Sequence, residues 1–142
     1  MIWTIAILVV SAFALWRGGF VERLVAVANL LAWIATMAVQ DRLAWMDPLT
    51  WVDPQWGVFG VDLLFGLLIL GLAVSRPQTW LLFAAAFQTL GLVTHIAMLV
   101  DDGFRAKAYL SGLIIWSYLV LGALAAGTWL RVLEDRRARS SR

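Results

Sequence analysis

Four residues carry the polar chemistry that this sequence hides inside apolar stretches: Asp62, Gln88, His95 and Ser117. Ionisable and strongly polar side chains at membrane depth are costly and are functional candidates by default. Ala84, Gln88, Gly91 and His95 are spaced by four, three and four residues, which places them on one face of a helix. Met98 and Asp102 continue that face. Small residues on such a stripe let another backbone approach, and the amide and imidazole can hydrogen-bond across the contact. The stripe is therefore expected to face protein, not lipid.

Arg76-Pro77 leaves almost no loop between the stretch holding Asp62 and the one holding His95. If the chain turns there, His95 stands about 6 Å closer to the opposite surface than Asp62, at 1.5 Å per residue. A direct or water-bridged contact between them is within reach. Folding the last apolar stretch back in the same way puts Gln88 level with Ser117 and His95 near Tyr109 to Ser111. Such a cluster suits three chemistries. Asp62 and His95 could pass a proton, because imidazole titrates near neutrality. His95 and Gln88 could donate to a quinone carbonyl or a lipid headgroup. As a haem ligand, His95 would need a second axial group from another copy or from Met98 on its own helix. The expectation is simpler, namely hydrogen bonds between helices at about 0.6–2 kcal/mol each.

The composition says which solvent surrounds these residues. Of 142 residues 63% are hydrophobic and 14% are charged, against about 25% charged in soluble domains. Mean hydropathy is +0.86, and there are nine Trp. With no Cys, disulfides, thiolate zinc sites, iron–sulfur clusters and cysteine nucleophiles are excluded. One His excludes a multi-histidine metal site within one chain. No glycine-rich phosphate loop, HExxH helix or GxSxG elbow is present. No catalytic residue, metal or cofactor is assigned, and enzyme activity is not expected.

A hydrocarbon core of about 30 Å needs roughly 20 apolar helical residues. Residues 1–16, 20–40, 54–75, 77–100 and 109–130 meet or approach that length. They must be helices to satisfy their backbone polar groups in lipid. The expected fold is thus an all-α, polytopic membrane bundle of five transmembrane helices in one domain, 1–130. Arg17-Gly18-Gly19 predicts a tight hairpin, and Pro48, Pro54 and Pro77 all fall outside the apolar interiors. Asp53-Pro54 predicts a cap followed by proline at the first helical position. The runner-up has four spans, with Ala12-Phe13-Ala14 as a signal-peptide cleavage site. It lacks the basic n-region a signal needs, and it would put the arginine-rich end outside.

Five spans with the N-terminus out and the C-terminus in place Arg17, Arg23, Arg76, Arg131, Arg136, Arg137, Arg139 and Arg142 on the cytoplasmic side. Arg42, Arg105 and Lys107 fall on the other, so the positive-inside rule is met. The outer loop 41–53 repeats Trp45-Met46-Asp47-Pro48 as Trp51-Val52-Asp53-Pro54, with Trp56 following. These indoles are expected as interfacial anchors. Residues 131–142 form a basic cytoplasmic tail suited to anionic lipid rather than nucleic acid. Gly122 with Ala126, and Ala123 with Gly127, are small-residue pairs that permit close helix crossing, within the bundle, in a homo-oligomer or in a larger complex. Compactness and ten Arg against one Lys suggest a bacterial inner membrane. The leading functional expectation is a non-enzymatic accessory or scaffolding subunit. The alternative is a small transporter, or a proton- or quinone-interacting protein, using Asp62 and His95.

Overall fold

The computed structural model describes residues 2–46, 56–100 and 106–141, excluding the side chains of residues 41–46, 99 and 106–108. The described residues form five helices: α1 Ile2–Arg17, α2 Phe20–Met46, α3 Trp56–Ser75, α4 Thr79–Val100 and α5 Ala106–Ser140. Four of them are long and apolar enough to cross a membrane. The fifth, α1, is apolar over 16 residues but reaches only about 24 Å at 1.5 Å per residue. Each helix packs on the next, α5 returns to α1 to close a ring, and α2 also touches α5.

Local chemistry sets the turns. Only Gly18 and Gly19 separate α1 from α2. Neither adopts positive φ, so glycine is needed here for space. A Cβ on Gly18 would overlap the Ala14 carbonyl oxygen and lie 2.7 Å from Glu22 Cβ. The Gly18 amide closes α1 on Ala14 O at 2.8 Å, and Gly19 O accepts from the Arg23 amide at 3.1 Å to open α2. At the next described turn, the Arg76 amide ends α3 on Leu72 O (2.8 Å), and Gln78 O opens α4 by accepting from Leu81 and Leu82. Pro77 stands just before that cap.

Helix ends depart from the expected spans. α2 runs six residues beyond 40, so residues 41–46 leave the outer loop. α5 starts at Ala106 and continues through the basic tail to Ser140. Hydropathy marks the bilayer, whereas a helix stops only at a breaker. None occurs between Gln40 and Met46, and no Gly or Pro follows Gly127. α4 starts at Thr79 rather than Pro77. The Asp47-Pro48 and Asp53-Pro54 caps lie outside the described residues.

The two halves of the bundle differ. Near the Gly18-Gly19 and Arg76-Pro77 turns the interior is mostly apolar: Ala14, Val25, Ile69, Ala73, Trp80, Leu81, Ala84 and Leu124 belong to one buried cluster, with Ser11, Glu22 and Thr128 buried as well. The outward faces are also apolar, with Leu31, Leu64, Leu67, Val74, Phe83 and Ile115 all exposed. A surface of that kind suits lipid rather than water. Arg17, Arg76 and Arg131 lie at this packed end. Arg76 lies 5.2 Å from the Phe20 ring centre, Arg17 lies 4.4 Å from that of Trp16, and Arg131 borders Gly19.

Candidate functional site

In the opposite half the helices enclose polar groups. Ala84, Gln88, Gly91 and His95 are all buried, so the spaced stripe on α4 faces protein. α3 meets that stripe at Gly66, where an added Cβ would lie 3.2 Å from Leu92 and 3.3 Å from Gln88 Cγ. This close approach sets Gln88 beside Asp62, one turn before Gly66.

Three helices are joined by one hydrogen-bonded chain. Gln88 Nε2 donates to the Asp62 carbonyl at 3.1 Å and to Asp62 Oδ1 at 3.4 Å. Asp62 Oδ2 lies 3.0 Å from His95 Nε2. The Tyr109 hydroxyl lies 2.7 Å from His95 Nδ1. The imidazole is thus held at both nitrogens, by a carboxylate from α3 and a phenol from α5. Aromatic edges wall it further, with the Phe59 and Tyr109 ring centres at 5.6 and 5.4 Å. His95 is nearly sealed, at 3% side-chain exposure, while Asp62 is 29% exposed. Asp62 and Gln88 are the members of the chain that meet open space.

That space is a cavity of about 250 Å³ between all five helices. Trp3 and Ile7 line it from α1, Asn29, Trp33, Thr36 and Gln40 from α2, Asp62 and Phe65 from α3, Gln88 from α4, and Ser117 from α5. Phe65 and Val120 belong both to its lining and to the packed apolar cluster.

Of the four residues singled out by sequence, Asp62, Gln88 and His95 are brought into direct contact. Ser117 stands apart from the chain: its hydroxyl donates back to the Leu113 carbonyl at 2.8 Å, while the residue lines the same cavity. Sequence reasoning overlooked Asn29, Thr36 and Gln40. Asn29 carried the signal that picked out Gln88, a polar amide deep in an apolar span. Its Nδ2 is buried without a hydrogen-bond partner. Of the expected interfacial anchors, Trp56 is exposed at the start of α3, edge-on to Phe59 at 6.2 Å. Trp51 and the Trp45 side chain lie outside the described residues.

The two small-residue pairs on α5 part company. Ala123 and Gly127 are buried, and the Trp80 ring sits on Gly127. Gly122 and Ala126 are exposed, and nothing stands within 4 Å of a Cβ added at Gly122. Among the described residues no group of three or more His, Cys, Asp or Glu could hold a metal ion. No protein-family model, curated protein or solved structure matches the chain.

Proposed function

We propose that this small membrane protein handles protons through Asp62, His95 and Tyr109, taking them from the cavity in its outer half. The setting proposed is a bacterial inner membrane, with the arginine-rich end in the cytoplasm by the positive-inside rule. The observation that carries the proposal is the double anchoring of His95, with Asp62 at 3.0 Å and Tyr109 at 2.7 Å. In the neutral imidazole, Nε2–H donates to Asp62 and Nδ1 accepts from the Tyr109 hydroxyl. When the ring takes a second proton, Nδ1–H donates to the phenol oxygen, and the hydroxyl hydrogen turns elsewhere. Both states keep each ring nitrogen hydrogen-bonded, and the charged state is balanced by the Asp62 carboxylate. A buried group that left one state unsatisfied would pay about 1–3 kcal/mol on each change.

The test is proton flux into proteoliposomes holding the full chain and an internal pH dye. Asp62→Asn and His95→Gln should each reduce the flux to that of empty vesicles while the protein stays folded and inserted. Wild-type flux in both variants would refute the proposal.

One observation favours the accessory-subunit reading. The Gly122 and Ala126 face of α5 is turned outward and open, the kind of surface on which another helix packs closely. Purification in mild detergent with a stoichiometric partner, lost in Gly122→Leu and kept in His95→Gln, would support it.

A further inference from the structure

We propose that the cavity binds a small organic monocation that also bears a hydrogen-bonding oxygen, of the amino-alcohol or quaternary ammonium alcohol class. This rests on the cavity-facing position given to Asp62 above, but not on proton transfer. Among the described residues that line the cavity, Asp62 is the only ionisable side chain. Its titratable neighbours among the described residues, His95 and Tyr109, are buried. With His95 neutral, the described lining carries one negative charge, which favours a cation over an anion. One carboxylate is too little for calcium, which takes six to eight oxygen ligands.

Three aromatic side chains, Trp3, Trp33 and Phe65, share the lining with that carboxylate. Aromatic walls beside an acid attract organic ammonium groups, because the ring faces are electron-rich and the alkyl shell is poorly hydrated. On the same lining, Asn29, Thr36 and Gln40 add polar side chains. These amides and the hydroxyl suit a ligand that carries a hydrogen-bonding oxygen beside its charge. The size is bounded as well: 250 Å³ equals roughly eight water molecules at about 30 Å³ each. Choline falls inside that limit and carries both features.

The experiment follows tryptophan emission of the full chain in nanodiscs during titration with choline, and in parallel with its uncharged carbon isostere, dimethylbutanol. Choline should change the emission saturably, and the isostere should not. Asp62→Asn should weaken choline binding about tenfold or more, the loss expected for one charge-assisted contact. Ser117→Leu fills the cavity without touching the charge and should abolish the response. Equal binding of choline and the isostere, unchanged affinity in Asp62→Asn, or no response to choline by the folded wild type would each overturn the proposal. Flux measured on the same purified protein in proteoliposomes separates the two ideas: a choline-silent protein with Asp62-dependent flux refutes only the ligand, and a choline-binding protein without flux refutes only the relay.

Discussion

Gly127 and Gly122 sit on one helix, five residues apart, and the structure assigns their alanine variants opposite signs. A Cβ on Gly127 would overlap Cγ and Cδ2 of Trp80 and lie 2.6 Å from its Cδ1. Carbon atoms rest at about 3.5–4.0 Å, so the ring must retreat by roughly 1 Å. Trp80 cannot do so freely, being buried among apolar neighbours with its Nε1 donating to Gln78 Oε1 at 2.7 Å. Overpacking of this kind costs about 1–3 kcal/mol, and losing the indole hydrogen bond adds about 1 kcal/mol. Against this, alanine is the better helix former by about 0.8–1 kcal/mol. The net for Gly127→Ala is a destabilisation of about 1–3 kcal/mol. At Gly122 the new methyl meets nothing within 4 Å, so only the helix-forming gain remains, and Gly122→Ala should be neutral or stabilised by up to about 1 kcal/mol. Reversible unfolding in mixed detergent micelles, followed by near-ultraviolet circular dichroism, measures both. Equal stabilities, or a Gly127→Ala protein as stable as the wild type, would refute the packing of α4 on α5 described above.

Other consequences are as concrete. Tyr109→Phe leaves His95 Nδ1 without its hydroxyl and should cost about 1–3 kcal/mol, whereas Tyr118→Phe keeps the ring stacked edge-on against Trp3 at 4.7 Å and should stay within about 0.5 kcal/mol. Both are read by the same unfolding assay. A double-mutant cycle on Asp62 and His95 should return a coupling of about 0.6–1.7 kcal/mol, the range for interhelical contacts in a membrane; zero coupling would deny their contact. Gly18→Ala should destabilise the first hairpin more than Gly19→Ala. At Gly18 the obstacle is a backbone carbonyl, whereas at Gly19 the obstacles are the ends of the Glu22 and Arg131 side chains. In cells, an impermeant reagent should label a tag at the N-terminus and not one at the C-terminus, and the reverse would overturn the orientation.

The sequence by itself determined the solvent, the number of helices and the turns between α1 and α2 and between α3 and α4. Uninterrupted apolar length and the placement of Gly and Pro are local properties. It also singled out Asp62, Gln88 and His95, because a polar group deep in an apolar span stands out against its neighbours, and the four-three-four spacing put two of them on one face. What only the tertiary structure decided is which faces meet. In a lipid-facing bundle both the inward and outward sides of a helix are apolar, so outside the polar stripe of α4 no alternation of polar and apolar residues reports its rotation. Spacing along α5 could not say that Ala123 and Gly127 pack inward while Gly122 and Ala126 point out. Nor could it bring Asn29, Thr36 and Gln40 of α2 to the cavity that Asp62 meets, since that needs the ring to close from α5 back to α1. The helix ends beyond the bilayer were hidden for a related reason: hydropathy falls at the headgroups, while backbone hydrogen bonds carry the helix on until a residue breaks them.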